Sequence, residues 1–390
     1  MGSSQHFTSR VAPFALALGL AISAVGGVTP ARAGSPSTPS TPTPVDAAAS
    51  AAGWVSIQVG ADSTLGAGSL ADAIFTFAAA GVGGTAAADA LTKLAAKTDA
   101  YAGYGGTLKP GEIAKILLAV HVAGGNPNAF AGHDLEADLR GLLVTSGPDT
   151  GHFTGATVYG QAVAILALAT TTGGVPAGTA AWLVGPKCAD GSYPFDIGWC
   201  DPTNFDVDTT AMVLQAFLAA GDAADAGTAT ASLVALQAVD GSFTSYGTNT
   251  STTAAAAQAL RAAGESAAAD AAAAWLVGKQ YGCDVAAADQ GAFPYSDSYA
   301  GVLIYSTTQA ALGLGAPRLD LLSLEGATAD APVLSCVGLP APSLPTVPPT
   351  DMATASQTSQ PGSGSVALFG ALLLAMVSVL VLSRRVEPRR

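Results

Sequence analysis

A repeat limits what this chain can fold into more than any other feature of its sequence. A polar or turn residue opening an apolar helical run recurs at Ser69, Gly111, Thr157, Asp208, Ser251 and Ser306, at intervals of 42 to 55 residues. Most of these runs stop at a glycine, as at Gly81, Gly124, Gly173, Gly221 and Gly264, the residue that most easily takes the left-handed turn closing a helix. Ahead of each run the pattern predicts a second helix, over 46–58, 85–97, 134–145, 177–187, 224–237 and 266–280. One such pair cannot bury its apolar face alone and must stack on the next pair. Six pairs predict an all-α fold, an α6/α6 toroid with one helix of each pair inside and one outside. An open solenoid would need capping repeats, and none is identifiable.

Composition supports this once its sources are separated. Of 390 residues 49% are hydrophobic and 11% charged, and mean hydropathy is +0.41, values that suggest a polytopic membrane protein. The mass of 38.1 kDa is only about 98 Da per residue, so alanine and glycine rather than leucine and phenylalanine supply the apolar count. Membrane segments are expected at the ends alone. Residues 1–33 read as a signal peptide, with Arg10, an apolar run to about Val28 and the small-x-small sequence Ala31-Arg32-Ala33. Residues 34–45 form a Pro/Ser/Thr linker, 46–337 the toroid domain and 338–364 a Pro/Ser/Thr/Gly stalk. Residues 365–383 read as a single transmembrane helix, and the basic tail 384–390 places it in a cell membrane with the tail cytoplasmic and the domain outside. No Leu-Pro-x-Thr-Gly sorting signal precedes that helix.

Removing the six arginines and one glutamate of the two ends leaves 9 basic and 27 acidic residues, a charge near −18. Such a surface repels nucleic acid and anionic lipid, so neither is an expected partner. Cys188, Cys200, Cys283 and Cys336 all lie in the exported part, where an even count suggests disulfides. Of three possible pairings, Cys188 with Cys200 closes a short loop, and Cys283 with Cys336 then pins the end of the domain. No Cys-x-x-Cys or adjacent histidine supports a metal.

The connections between paired helices carry a signature of their own. Gln237-Ala-Val-Asp240-Gly241-Ser242-Phe243 leads into a Thr-Thr-Ala helix, and related pieces occur at Asp190-Gly191-Ser192-Tyr193, Gly151-His152-Phe153 and Gln290-Gly291-Ala292-Phe293. This resembles the repeat of the prenyltransferase and squalene-cyclase superfamily over about residues 46 to 316, and the resemblance implies the same toroid. It also implies a choice of activities, because that superfamily includes terpene cyclases, protein prenyltransferase β subunits, thioester proteins and cobalamin carriers such as transcobalamin.

Fold alone does not select among these. Cyclases of the family use Asp-x-Asp-Asp; here Asp206-Val207-Asp208-Thr209 lacks the last aspartate, and Asp208 would be the general acid, supported by Asp206. The inner helices are rich in Ala, Leu, Val and Thr, which offer little to a carbocation. A prenyltransferase zinc set and the Gly-Cys-Gly-Glu-Gln thioester motif are missing. Binding without chemistry is the leading expectation. Asp208 and Gln215 share one helical face, as do Ser251 and Gln258; Tyr159, Gln161, Thr308 and Gln309 add hydroxyls and amides near the same helix starts. Converging at one mouth, these groups suit a large polar ligand, for which the resemblance implies a corrinoid (cobalamin). Carriers of that type have a second domain that closes over the ligand, so a second envelope protein or a transporter would have to supply it. An envelope interaction scaffold is the third possibility. Asp208 and Ser251 could instead be helix N-caps, and Gln215 and Gln258 bridges between helices.

Overall fold

The computed structural model describes residues 42–336 apart from 202, 204 and 300–302. The expected signal peptide, stalk, transmembrane helix and tail lie outside the described residues. Among those residues no helix is long and apolar enough to cross a membrane.

The described residues are helical, with no β-strand. The helices are α1 Pro44–Ala61, α2 Ala67–Ala80, α3 Gly84–Ala95, α4 Thr98–Ala102, α5 Pro110–Val122, α6 Leu135–Gly141, α7 Val158–Ala169, α8 Thr179–Leu183, α9 Val207–Ala220, α10 Ala223–Leu236, α11 Thr250–Ala262, α12 Ser266–Val277 and α13 Leu303–Gly313. Helices α2, α5, α7, α9, α11 and α13 each pack on the next, and α13 packs back on α2, so the inner layer closes. Thr76 Oγ1 donates to the Thr308 carbonyl across that closing contact. The outer layer is α1, α3, α6, α8, α10 and α12, and α12 meets α1. The expected toroid of six pairs is the architecture.

Small residues set the spacing. A Cβ on Gly111 of α5 would lie 3.2 Å from Gly160 Cα of α7, and one on Gly313 would lie 2.6 Å from Ala254 Cα of α11. The inner helices cross at backbone distance there, which leucine would forbid. Two outer helices are shorter than the pattern predicts. α8 stops at Leu183 because Gly185-Pro186 cannot continue it; α6 stops at Gly141, after which Leu143 pairs with Phe153.

The connection motif is a set of hydrogen bonds. Phe153, Tyr193, Phe243 and Phe293 are fully buried, and their amides donate to Gln161 Oε1, Thr210 Oγ1, Thr253 Oγ1 and Thr307 Oγ1 of the inner helices. Gln237 Nε2 donates to the Gly241 and Ala268 carbonyls, tying the turn to α12. Gln280 does the same for the last repeat, reaching Ala47 of α1 and so joining the two ends of the ring.

Disulfides join Cys188 to Cys200 and Cys283 to Cys336. The second holds a strap, residues 314–336, that the repeat pattern does not foretell. Leaving α13, the strap accepts a bond from Gln258 at the Pro317 carbonyl and donates from Leu319 N to Gln215 Oε1. It then bonds to Val122 at the end of α5 and to Gly81 at the end of α2, and passes α1, where a Cβ on Gly53 would be 2.1 Å from the Pro332 carbonyl. The strap thus crosses the carboxyl-terminal ends of the inner helices and closes that mouth with Leu319 and Leu322, both buried.

Candidate functional site at the amino-terminal mouth

The four aromatic-to-helix hydrogen bonds fix a common register. Counting two residues back from Gln161, Thr210, Thr253 and Thr307 gives Tyr159, Asp208, Ser251 and Tyr305. In α2 and α5 the matching second helical positions are Gly68 and Gly111. One turn deeper lie Asp72, Lys115, Val163, Met212, Ala255 and Gln309. Asp72, Val163 and Met212 are 5, 6 and 8% exposed while the residues flanking each are fully buried or nearly so. Solvent therefore reaches two turns into the ring from this side, and Tyr305 at the entrance is 43% exposed.

Sequence reasoning places Ser306-Thr-Thr opposite Ser251-Thr-Thr; the hydrogen bonds shift this by one, so Tyr305 and not Ser306 faces the mouth beside Ser251. Neither Asp208 nor Ser251 is a cap. The caps are Asp206, which accepts from Thr209 N at 2.9 Å, and Asn249, which accepts from Thr252 N at 2.8 Å, with Thr157 doing the same for α7. Capping two positions earlier frees Asp208 and Ser251 to face inward.

Asp208 accepts a 2.8 Å bond from Thr252 Oγ1 of the next helix. Burial pushes its carboxyl up to about 6, against the lowering effect of that bond and with a smaller push from Asp206. No basic group stands against it among the described residues. Its counterpart in the second layer is different: both oxygens of Asp72 contact Lys115 Nζ at 2.8 Å. Burial is the largest single influence on Lys115 and opposes its charge, but Asp72, Tyr101 and Glu112 together hold the amine above its ordinary value. Tyr159 and Tyr305 are raised by burial and then by surrounding phenols and carboxylates, Asp72 and Asp208 among them, so all of these groups face one space. Tyr101 fills the gap over Gly68, whose Cβ would be 3.1 Å from the Tyr101 hydroxyl. Ser251 Oγ is buried against Tyr305 with no hydrogen-bond partner of ordinary geometry.

The other expected site residues lie elsewhere. Gln161 is fully buried, and its amide is used by Gly151, Phe153 and Thr179. Gln215 and Gln258 hold the strap at the opposite mouth and stand 3.5 Å apart, so they also bridge α9 and α11. Thr308 Oγ1 bonds back to Ile304 and Tyr305 carbonyls. Asp206 serves as a cap, and Gln309 is in the second layer. Missed in the sequence were Asp72, Lys115, Tyr101 and Tyr305; a correct register between repeats is the signal that exposes the first two and the last.

The rim is aromatic. Phe195, Trp199, Tyr246 and Tyr299 are 48, 70, 81 and 55% exposed, and all lie on loops that lead into inner helices. Among the described residues no group of three His, Cys, Asp or Glu side chains is placed to hold a metal ion.

No family model and no curated protein matches the chain. Among solved structures it is similar to ent-copalyl diphosphate synthase from Streptomyces platensis, at 20% identity over 64% of this chain and 50% of that one, with a TM-score of 0.43. This chain thus spans half the length of that synthase. It is also similar to a glycosidase solved as a variant with glucose, at 17% identity over 65% of this chain and 88% of that one, with a TM-score of 0.43.

Proposed function

We propose that the protein is an exported, membrane-anchored ligand-binding toroid whose site is the amino-terminal mouth. The observation that carries this reading is the six-fold register set: it gathers Tyr159, Asp208, Ser251 and Tyr305 around one opening, where the Asp208 carboxylate has only a neutral donor, while the amides of the other mouth are all engaged. Structural polar groups are satisfied internally; groups left waiting at a concave opening meet a ligand.

The finer reading is a corrinoid. Three of the amides expected to meet it are engaged within the protein, so Tyr159, Asp208, Ser251 and Gln309 are left to contact it, with the exposed rings of the rim as flat faces. A second envelope protein or a transporter would cover the open side. Incubating the purified full chain with cobalamin and following the absorbance of the retained protein tests this, with Ser251→Trp as a blocked-mouth control. Retention by the wild type and loss in the variant supports the corrinoid. If a folded sample retains neither cobalamin nor any small molecule from an envelope extract, judged by native mass spectrometry, the binding reading itself fails.

One observation favours a second reading, a cyclase-like enzyme with Asp208 as general acid. A carboxyl titrating at about 6 keeps its proton in mild acid, and the aromatic faces that the alanine-rich helices lack come from Tyr159 and Tyr305. A product from a linear polyisoprenoid that disappears in Asp208→Asn would establish it; no Asp208-dependent product discards it.

A further inference from the structure

We propose that the Asp208 end of this mouth seats an organic ammonium cation, its charge on the Asp208 carboxylate and its alkyl groups against the rings of Tyr159 and Tyr305. The inference rests on the binding reading above and names the charge class of the ligand.

Four observations converge. Asp208 is only partly exposed to solvent and has just a neutral donor, Thr252, and a like-charged neighbour, Asp206. Lys115, the cation of this lumen among the described residues, is engaged by both oxygens of Asp72 and is not available to it. Tyr159 of α7 and Tyr305 of α13 both stand close enough to Asp208 to feel its charge, and a cation held against a tyrosine ring is attracted by its quadrupole. Ser251 Oγ, 3% exposed and within reach of the Tyr305 hydroxyl, can turn to accept from a ligand N–H or donate to a ligand hydroxyl. A hard metal ion would demand six or more oxygens, more than one free carboxylate and one hydroxyl provide. The acidic surface, near −18 over the exported part, concentrates cations at the rim.

The charge of Asp208 must be present for this seat to work, so affinity should fall as the pH drops below about 6. The groups facing it are Asp206 on its own helix, Tyr159 on α7, Tyr305 on α13, Tyr295 on the loop before α13, and, across the lumen, Asp72, Lys115 and Tyr101. All four tyrosines are raised and stay neutral in this range. Asp206 is also raised by burial, and its protonation would weaken a cation in the same direction.

The test uses choline and its neutral isostere 3,3-dimethylbutan-1-ol, titrated calorimetrically into the full chain at pH 7.5. Choline should bind at least about tenfold more tightly than the alcohol. Asp208→Asn, which keeps the Thr252 bond and the shape of the side chain, should weaken choline by about thirtyfold or more. Tyr305→Leu should weaken it several-fold, with circular dichroism showing both variants folded. Below pH 6 the affinity should drop by up to about tenfold per unit. Equal binding of the alcohol, or an Asp208→Asn variant that binds choline like the wild type, overturns the proposal. If choline fails to bind while cobalamin or an extract ligand is retained and blocked by Ser251→Trp, the cation seat is overturned and the binding reading stands; if nothing is retained, both fall.

Discussion

The two mouths of the ring are built from the same six helices and have opposite characters. At the carboxyl-terminal mouth the strap inserts Leu319 and Leu322, both buried, and the buried amides of Gln215 and Gln258 each find a backbone partner. At the amino-terminal mouth the equivalent faces carry Tyr159, Asp208, Ser251 and Tyr305, with a carboxylate that has no counter-ion among the described residues. Packing and satisfaction are what a fold selects for its own stability; desolvated but unsatisfied groups cost stability and persist where something else uses them. The difference separates the end that the strap closes from the end where the proposed ligand would sit.

The largest effect expected from this comparison is at the closed mouth. Leu319→Ala removes a side chain that is 5% exposed and cannot be replaced by neighbours already touching the strap, so it should cost about 2 to 4 kcal/mol. Chemical denaturation would measure it, and ligand retention at the open mouth should survive in the folded fraction. A loss of less than about 1 kcal/mol would mean that the strap only rests on the ring. Next comes Gln215→Ala, which strands the buried Leu319 amide and should cost about 1 to 3 kcal/mol. If Gln215→Ala instead leaves stability intact and abolishes ligand retention, the assignment of the two mouths is reversed.

The repeat count, the ring, both disulfides and the connection motif were legible because each follows from local chemistry: helix stops, a period, an even set of cysteines. The site was legible in part. Tyr159, Asp208 and Ser251 were chosen for their place near helix starts, and the register bears out that placement. Gln161 lies near a helix start too, and Gln215 and Gln258 share a helical face with Asp208 and Ser251, yet their partners include backbone groups 8 to 104 residues distant in sequence, which no helical periodicity reports. Asp72 and Lys115 escaped notice because the first two repeats lack the Thr-Thr motif, and without it nothing in the sequence aligns them with Met212.

The smallest effect is the most diagnostic, because its sign differs at the two ends. The folded carboxyl of Asp208 titrates at about 6, above the roughly 3.9 of an unfolded chain. A raised carboxyl binds its proton more tightly when folded, so its contribution favours the native state below pH 4 and is lost progressively as the pH rises through 4 to 6. Above that range the charged side chain is a fixed penalty. Asp208→Asn removes it, and at pH 7 should stabilise the protein by about 1 to 2 kcal/mol, less than the full shift because solvent reaches the mouth. The variant should also lose the corresponding slope between pH 4 and 6 in denaturation midpoints, while ligand binding weakens. A residue whose removal steadies the fold and impairs binding is one kept for function. Were Asp208→Asn to destabilise the protein at pH 7, the Thr252 bond would outweigh burial, and the open mouth would differ from the closed one only in lacking a strap.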